Sequence, residues 1–518
     1  MACTSVWLET PSNATRRHLS DAGAQAGLSP VVNPPPRSGK LDAVRLPNFI
    51  NGTFVPPRSG TYLDDVNPAT EDVIAQIPDG DRQDIDDAVA AAKAAFPVWS
   101  RTPASERSRL LLKLADLIER DAEDLARTES IDNGKAVSLA RRLDIPRAAL
   151  NFRFFATGIL HHATEAHATD QTALNYTLRQ PLGVVGLISP WNLPLYLLSW
   201  KIAPAIASGN TCVAKPSELT PLTAHRLAEL ANEAGIPAGV INIVHGRGEK
   251  AGRALTCHDD VAAISFTGGT VTGAAVAANA APRFKKLSLE LGGKNPNLIF
   301  ADADLDDAVA TTIRSSFWNQ GEICLCGSRI FVERSIHDAF VERLASAAAK
   351  LHIGDPLDEA TDIGALISAA HMEKVTGYIE LARKEGGKIV VGGRRVDWKG
   401  FFVEPPIITG LGCDSRVLQE EIFGPVVTVT PFDGEEEAIA FANSTRYGLS
   451  ATVWTTNLTR AHRVAAAVDA GTVWINCWLL RDLRVPFGGM KESGVGREGG
   501  FESLNFFTEA KNVCIKLS

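Results

Sequence analysis

The strongest constraint on the fold is an alternation of apolar and amphipathic segments between residues 183 and 266. Short apolar runs such as 183–188 predict buried strands, and the stretch 220–234 has the periodicity of a helix. Strands that alternate with helices predict a parallel, doubly wound sheet. A second alternating block begins with the apolar run 296–300. We therefore predict an α/β protein with a domain boundary near residue 291.

The segments outside the two blocks complete the predicted organisation. Asn51-Gly52 between apolar residues predicts a hairpin over 49–55, and helices are expected over 84–98, 104–127 and 145–159. The segment 506–517 resembles a lone strand, which needs a sheet edge that a partner subunit could supply. The predicted parts are a first domain of residues 46–162 and 184–291, a second domain of residues 292–490, and oligomerisation elements at 163–183 and 491–518.

The beginning of the chain differs from the rest. Residues 1–45 contain Pro34-Pro35-Pro36 and no periodic apolar pattern, so we predict a disordered extension. Arg16 and Arg17 faintly suggest a mitochondrial transit peptide, but the nearby acids Glu9 and Asp21 argue against it. We expect a cytoplasmic protein.

Composition excludes several partner classes. The chain has 518 residues with 52 basic and 60 acidic side chains, and its net charge of -8 argues against nucleic acid or an anionic membrane as a partner. No apolar run approaches the roughly 18 residues that span a bilayer. Its eight cysteines are not regularly spaced, which indicates reduced thiols in a reducing compartment.

The loop 319–329 holds two of these cysteines, Cys324 and Cys326, among glycines. It lies between a helical stretch that ends near Trp318 and an apolar run that predicts a strand. The Cys-x-Cys spacing is too tight for a metal knuckle, and no metal site is expected. Taken alone, both cysteines could equally be small hydrophobic core residues.

Four other motifs lie where predicted strands end. Ser189 to Pro194 is a proline-bounded loop that includes Asn192, and Lys215 to Glu218 could bind the hydroxyls of a ribose. Residues 265–273 lead through glycines into a helix whose amides could face a phosphate. Glu290 ends an apolar run, and burial would raise its pKa and suit it to be a general base. Each could also be a plain turn or a solvated charge.

With Glu421-Ile422-Phe423-Gly424-Pro425 and Pro486-Phe487-Gly488-Gly489, these motifs resemble the aldehyde dehydrogenase superfamily in order and spacing, from about residue 46 to the end. The resemblance implies a Rossmann-like NAD-binding domain, an α/β catalytic domain and a small β oligomerisation arm, in a homodimer or homotetramer. It makes Cys324 the nucleophile, Glu290 the base that activates water, and Asn192 with the Cys324 backbone amide the oxyanion hole. It assigns NAD binding to Trp191, Lys215, Glu218, Gly268, Gly269, Gly273, Glu421 and Phe423, and the walls of the substrate tunnel to Trp200 and Phe487.

Two residues depart from the family pattern. Glu322 stands where the family usually has Gln, and its charge should raise the pKa of Cys324 unless the side chain points away. Gly269 stands where the family often has Ser, which removes a hydroxyl contact to the cofactor.

Residues 319–326 and 476–484 resemble the 2-aminomuconic and 2-hydroxymuconic semialdehyde dehydrogenases of that superfamily. Such aldehydes carry a remote carboxylate, which a guanidinium can bind through both oxygens. We assign this role to Arg481, with Arg484 as its competitor, and a second such role to Arg147. The charge of Glu218 should repel the 2′-phosphate of NADP and favour NAD. The expected reaction is NAD-dependent oxidation of an acidic semialdehyde, a small-molecule substrate, to its carboxylate.

Three other functions are compatible with the sequence. A broad-specificity or betaine-aldehyde enzyme would present aromatic faces rather than cations to its substrate. A coenzyme A-dependent enzyme would not need Glu290 as a base. A catalytically silent structural protein could keep the fold without the reaction.

Overall fold

The computed structural model of the protein describes residues 30–33 and 44–517. The strands are β1 (Val31–Val32), β2 (Val44–Arg45), β3 (Asn48–Ile50), β4 (Thr53–Val55), β5 (Tyr62–Val66), β6 (Val73–Pro78), β7 (Ala166–Thr169), β8 (Ala173–Pro181), β9 (Val184–Ile188), β10 (Thr211–Lys215), β11 (Ile241–Ile243), β12 (Val261–Thr267), β13 (Lys286–Glu290), β14 (Pro296–Ile299), β15 (Arg329–Glu333), β16 (His352–Ile353), β17 (Lys388–Val391), β18 (Ile407–Thr409), β19 (Val427–Phe432), β20 (Tyr447–Gly448), β21 (Ser450–Trp454), β22 (Thr472–Ile475), β23 (Met490–Lys491), β24 (Gly494–Val495) and β25 (Thr508–Lys516). The α-helices are α1 (Arg82–Trp99), α2 (Ala104–Arg120), α3 (Ala122–Asn133), α4 (Val137–Leu139), α5 (Ile145–Gly158), α6 (Pro194–Ala207), α7 (Leu222–Ala234), α8 (Arg253–Cys257), α9 (Thr270–Ala280), α10 (Leu305–Phe317), α11 (His337–Ala348), α12 (Ala369–Lys384), α13 (Arg416–Gln419), α14 (Glu435–Asn443), α15 (Leu458–Ala467) and α16 (Gly500–Phe506).

The first large sheet has eight strands in the order β24-β13-β12-β9-β10-β11-β3-β4. Its five central strands, β13 to β11 in that order, are parallel, as the alternation of strands and helices predicts. The hairpin β3–β4 closes one edge, in agreement with the turn expected at Asn51-Gly52. At the other edge, Gly494 pairs with Glu290, so this part of segment 491–518 belongs to the sheet and not to an oligomerisation arm.

The second large sheet has seven strands in the order β17-β18-β19-β15-β14-β21-β22 and begins in the chain at β14, just after the predicted boundary. All its neighbours are parallel except β17 and β18. The loop with the two cysteines leads into β15. Parallel strands end at one edge of a sheet, and loops that follow them converge there.

The C-terminal strand pairs within its own chain, whereas we expected that a partner subunit could supply its sheet edge. β25 pairs antiparallel with β8 of the same chain over nine residues, in the order β25-β8-β7. The hairpin predicted near 163–183 is present as β7 and β8. Phe506, which we placed in the strand, ends helix α16 instead.

Two further expectations need correction. The predicted helix 104–127 is two helices, because the chain bends at Asp121 between α2 and α3. The predicted disordered extension 1–45 lies mostly outside the described residues, but its described parts are ordered. Val31–Val32 pairs with β16 in a two-stranded sheet, and Val44–Arg45 pairs with β6 at the edge of a three-stranded sheet. Among residues 30–33 and 44–517, no helix is long and apolar enough to cross a membrane.

Candidate active site

The loop around Cys324 is shaped by three consecutive residues with left-handed backbone angles. Asn319, Gln320 and Gly321 have φ values of 52°, 55° and 72°. At Gly321 a Cβ atom would lie 2.4 Å from the carbonyl oxygen of Gly424, so this position requires glycine. The bend carries Cys324 to the gap between the two large sheets.

The structure separates the roles of the two cysteines. Cys324 is partly exposed and lines two cavities, whereas Cys326 is buried in an apolar cluster with Ile323 and Leu325. The side chain of Asn295 fixes the segment by donating hydrogen bonds to the carbonyls of Cys324 (2.7 Å) and Cys326 (2.8 Å). Of the two alternatives left open by the sequence, presentation to a ligand fits Cys324, and core packing fits Cys326.

Asn192 lies in the loop between β9 and α6 and shares a cavity with Cys324. Its side chain is almost fully buried, and Nδ2 donates a hydrogen bond of 2.8 Å to the carbonyl of Glu322. Pro194 begins α6 directly after the loop. An amide nitrogen held in this way has a second N–H left for an oxygen atom bound at Cys324.

Glu290 is the last residue of β13 and lines the second cavity beside Cys324. Both of its carboxylate oxygens are buried, and neither has a hydrogen-bond partner in the described part of the chain. Burial and, second, the charge of Glu498 hold its pKa well above the usual range. A raised pKa makes the carboxylate a stronger base, as the sequence predicts for a general base.

Sequence reasoning missed Lys201 and Glu498, which lie behind Glu290. Lys201 Nζ donates to Glu498 Oε1 at 3.0 Å and to Ser265 Oγ at 2.9 Å. The signal was available for the lysine, because it stands alone as a charged residue in the apolar helix α6. A fully buried lysine requires a partner of this kind.

The thiol of Cys324 is held in its neutral form in the free protein. Burial is the main cause of its raised pKa, and the charges of Glu421 and Glu290 act in the same direction. Arg481 opposes them. The thiol therefore needs a base, or a cation brought by a ligand, before it can attack a carbonyl.

The carboxyl group of Glu322, where the chain departs from the family pattern, does not face the thiol. The side chain points away from the cavity, and its Oε1 accepts a hydrogen bond of 3.2 Å from the backbone of Ile367. The same oxygen lies 3.5 Å from Nε2 of His371. Glu322 is absent from the charges that shift the pKa of Cys324.

The larger of the two cavities has a volume of about 740 Å³ and is the candidate cofactor site. Five of the eight predicted cofactor residues line it: Trp191, Gly268, Gly269, Glu421 and Phe423. Gly273 does not line it but allows α9 to approach Leu291, where a Cβ would meet Cδ2 at 2.4 Å. Lys215 and Glu218 also lie outside it, as an ion pair of 3.1 Å that follows β10.

The cavity fits a dinucleotide on two grounds. The N-terminus of α9 opens into it at Gly269, where a Cβ would have no heavy atom within 4 Å, so the backbone amides can approach a phosphate. At its other side Glu421 is fixed through a hydrogen bond of 2.9 Å from the Gly293 amide to Oε1. Its Oε2 is left to accept from a hydroxyl group.

Two further cavity residues come from α12, where the sequence has no recognisable motif. His371 and Lys374 both line the cavity. His371 Nε2 contacts the carbonyl of Phe423 at 2.6 Å, and its ring packs edge-on against Trp191. Burial lowers the pKa of His371 to about 4, so the imidazole is neutral at physiological pH.

The second cavity, on the other side of Cys324, is lined by three of the four predicted substrate residues, and Arg147 lies outside its lining. Its walls include Trp200, Phe487 and Arg481. The Arg147 guanidinium lies over the rings of Tyr196 (5.1 Å) and Trp200 (5.4 Å), which both line this cavity. The competitor Arg484 does not line it and is paired with Asp482 on the exposed surface.

Neither substrate arginine is neutralised by an acid. Arg147 Nη2 is buried and has no hydrogen-bond partner in the described residues, while Nε donates to Asn151 Oδ1 at 3.0 Å. No hydrogen bond or ion pair within 30–33 and 44–517 engages the Arg481 side chain. Burial lowers the pKa of Arg147, and the neighbouring charge of Arg481 acts in the same direction. The charge of Asp482 opposes this shift, but that carboxylate is paired with Arg484. Two cations held together without an ion pair of their own indicate an anionic ligand.

Comparison with known proteins agrees with this geometry. The model of the aldehyde dehydrogenase family matches residues 54–513. The 2-aminomuconic semialdehyde dehydrogenase of Danio rerio is 54% identical over 479 residues, which cover 91% of this chain and 98% of the relative. The 2-hydroxymuconic semialdehyde dehydrogenase of Pseudomonas sp. (strain CF600) is 50% identical over 481 residues, 91% of this chain and 99% of the relative.

A solved structure supports the same assignment. The NAD+ complex of an aldehyde dehydrogenase from Bacillus cereus superposes with a TM-score of 0.90 at 43% sequence identity, over 92% of this chain and 97% of the other. The fold class predicted from the sequence is thereby confirmed.

Proposed function

The chain belongs to the aldehyde dehydrogenase family, and from this premise we propose that it oxidises an acidic semialdehyde to the corresponding carboxylate with NAD. The observation that carries the substrate class is the pair Arg147 and Arg481, two cations without an acidic partner beside the cavity of Cys324. A remote carboxylate on the substrate would supply the missing counter-charge.

The proposed substrate is 2-aminomuconic or 2-hydroxymuconic semialdehyde, in the catabolism of tryptophan or of aromatic rings. Relatives with these two names are 54% and 50% identical to this chain. Both compounds combine an aldehyde with a distant carboxylate on a planar carbon chain. The aromatic walls Tyr196, Trp200 and Phe487 suit such a chain, and the arginines suit its charged end.

The residues act in a fixed order in this proposal. The Cys324 thiol first gives its proton to water, and the thiolate then adds to the aldehyde carbon and forms a thiohemiacetal. The oxyanion of this intermediate receives hydrogen bonds from Asn192 Nδ2 and the Cys324 backbone amide. When bound, NAD supplies the acceptor for the hydride that this carbon loses. The product is a thioester on Cys324. Glu290 then takes a proton from water, whose oxygen attacks the thioester and releases the carboxylate and the free thiolate.

NAD is proposed as the cofactor on the fit of the larger cavity and on the charge of Glu218. Glu421 would accept a hydrogen bond from the ribose next to the nicotinamide. At the adenosine ribose, Glu218 would accept a hydrogen bond and Lys215 would donate one. A 2′-phosphate would meet the Glu218 carboxylate, which costs binding energy. Replacing Glu218 by Gln should therefore raise kcat/KM with NADP and reduce the preference for NAD over NADP. Equal kcat/KM values for the two cofactors in the wild type would contradict the proposal.

The deciding experiment compares substrates of similar length. NADH formation is measured with 2-hydroxymuconic semialdehyde, a neutral aldehyde and betaine aldehyde, using the wild type and Cys324→Ser. We expect the acidic substrate to have the highest kcat/KM, and Cys324→Ser to abolish turnover and the acyl-enzyme seen by mass spectrometry. A preference for betaine aldehyde, or turnover by Cys324→Ser, would contradict the proposal. No turnover of any aldehyde by a folded protein that binds NAD would indicate a silent structural role.

We also propose a homodimer or homotetramer. β25 forms an exposed edge of nine residues on the three-stranded sheet. Ile515 on this strand, and Leu174 and Leu178 on the neighbouring β8, expose large apolar side chains. Such an edge pairs readily with another copy of itself. The double variant Leu178→Glu/Ile515→Glu should lower the mass measured by light scattering, and an unchanged mass would contradict this interface.

The proposed location is the cytoplasm. All seven cysteines in the described residues are free thiols, as a reducing compartment would allow. Fractionation of cells, followed by detection of the protein in the cytosolic and mitochondrial fractions, tests the assignment.

A further inference from the structure

Three charged side chains are buried together behind the Asn192 loop. Lys135, Glu129 and Asp144 have fully buried side chains. Lys135 Nζ forms a salt bridge with Asp144 and lies 3.6 Å from Glu129 Oε1. None of them lines the cofactor cavity or the substrate cavity. Because buried charges are costly and rarely improve stability over apolar residues, this cluster calls for another function.

The ammonium group of Lys135 also reaches the backbone of the Asn192 loop. It donates a hydrogen bond of 2.9 Å to the carbonyl of Asn192, and Nδ2 of Asn319 donates to the same oxygen at 3.0 Å. Two donors on one buried carbonyl, one of them charged, hold that peptide group firmly.

The neighbours of Lys135 in the chain bind the rest of the loop. Asn133 Nδ2 donates to the carbonyl of Trp191 at 2.8 Å, and Glu129 Oε2 accepts from the amide of Leu195 at 3.2 Å. The segment 129–135 therefore provides partners for three successive parts of the backbone between Trp191 and Leu195. This segment comes from the end of α3 and the turn after it, far from the loop in sequence.

The position of the Asn192 side-chain amide depends on contacts of both its side chain and its backbone. Its side-chain nitrogen is oriented by the carbonyl of Glu322, two residues before Cys324, and its backbone is held by Lys135 and Asn319. A movement of the backbone by a fraction of an ångström would displace the donor relative to the thiol. Catalytic hydrogen bonds to an oxyanion are sensitive to displacements of this size.

We propose that Lys135 is a positioning residue for the oxyanion donor Asn192, and that Asp144 and Glu129 serve to hold the lysine in place. The inference rests on the oxyanion role proposed above for Asn192. Lys135 touches neither substrate nor cofactor, and it acts through the peptide carbonyl of Asn192. The motif Asp132-Asn133-Gly134-Lys135 then belongs to the active site although it lies outside both cavities.

A double-mutant cycle tests this role. The pair Lys135→Met/Asp144→Asn removes the ammonium together with the carboxylate of its salt bridge, while Glu129 still accepts from the Leu195 amide. It is made with Asn192 intact and in Asn192→Ala. The rate of the first NADH formed is measured after rapid mixing, together with KM for NAD and Tm. Lys285→Met is the matched control, because Lys285 is a buried lysine that donates to the carbonyls of His258 and Val261, away from the loop.

The expected results are specific to positioning. With Asn192 present, the pair should slow the first turnover by about tenfold or more while KM for NAD changes little. In the Asn192→Ala background it should cost no more than about twofold, because the donor it positions is already gone. Lys285→Met should lower Tm but change the rate by the same factor in both backgrounds.

Three outcomes would distinguish a wrong role for Lys135 from a wrong role for Asn192. An equal loss of rate in both backgrounds would show that Lys135 only stabilises the fold and would overturn the inference. No loss of rate in Asn192→Ala alone would overturn the oxyanion role of Asn192 instead. If the protein with Lys135→Met/Asp144→Asn does not fold, Asn319→Ala replaces it, because this change removes the second donor to the same carbonyl without exposing a charge. If the rate losses of Asn319→Ala and Asn192→Ala were additive, the inference would likewise be overturned.

Discussion

The guanidinium carbon of Arg481 lies 3.8 Å from the centre of the Phe487 ring, in the wall of the cavity beside Cys324. The ring covers one face of the guanidinium and holds it in a fixed orientation, which preserves its N–H groups for a ligand. Stacking of this kind keeps an arginine ordered without neutralising its charge. The cation is thereby left available to the substrate carboxylate that we propose as its ligand.

Removal of this cation should affect acidic substrates only. Arg481→Ala removes charged hydrogen bonds to the substrate, a loss of about 2 to 3 kcal/mol of binding free energy. We therefore expect kcat/KM with an acidic semialdehyde to fall roughly 30- to 150-fold. Turnover of a neutral aldehyde of the same length should change little. Arg484→Ala is the matched control, because Arg484 is paired with Asp482 outside the cavity. Equal losses on both substrates would contradict the role.

The two half-reactions should separate in Glu290→Gln. The amide cannot take a proton from water, so one equivalent of NADH should form rapidly and the acylated Cys324 should then accumulate. Stopped-flow absorbance followed by mass spectrometry measures both. A variant that loses the first turnover as well would show that Glu290 is needed before the thioester forms.

The pH dependence of the second half-reaction follows from the raised pKa of Glu290. Only the carboxylate is a base, so the rate of deacylation should rise with pH as this group loses its proton. The charge of Glu498 contributes to the elevation, and Glu498→Gln should therefore move the rise to lower pH. A pH profile that stays in place in this variant, or a rate that falls with rising pH, would contradict the assignment.

The open position at Gly269 allows a gain in cofactor affinity. A Cβ there would have no heavy atom within 4 Å, so Gly269→Ser can add a hydroxyl group at the N-terminus of α9 without a clash. One hydrogen bond is worth about 0.5 to 1.5 kcal/mol, which corresponds to a roughly two- to tenfold lower Kd for NAD by calorimetry. In Gly273→Ser the new Cβ atom would lie 2.4 Å from Leu291 Cδ2, and we expect a lower stability in urea instead.

The sequence alone could predict the site residues that lie at or just after the end of a strand. Asn192 and Glu290 follow parallel strands of one sheet, whose ends must meet, so their proximity could be predicted without coordinates. Lys135 and His371 could not be predicted in this way. They reach the site from helical regions whose packing against the loops depends on the whole fold, and neither has a motif of recognisable chemistry.

The C-terminal strand illustrates a different limit. Its apolar residues correctly indicate a strand without a neighbour nearby in the chain. Its partner β8 lies more than 300 positions upstream, since Thr508 pairs with Pro181. Periodicity detects a strand, but the choice between an edge in the same chain and one in another subunit depends on tertiary structure.

Glu322, the clearest departure from the family pattern, should leave the reactivity of Cys324 unchanged. Its carboxyl group faces Ile367 and His371 rather than the thiol, whereas Glu421 and Glu290 are the acids that raise the pKa of Cys324. In Glu322→Gln, the amide oxygen can still accept from the Ile367 amide, so the loop should keep its shape. The rate of alkylation at Cys324 by iodoacetamide, followed by mass spectrometry across pH, should therefore match the wild type. Glu421→Gln is the positive control and should shift that profile to lower pH, because it removes a charge that disfavours the thiolate. A shift in Glu322→Gln as large as that in Glu421→Gln would mean that the Glu322 side chain turns toward the thiol in solution.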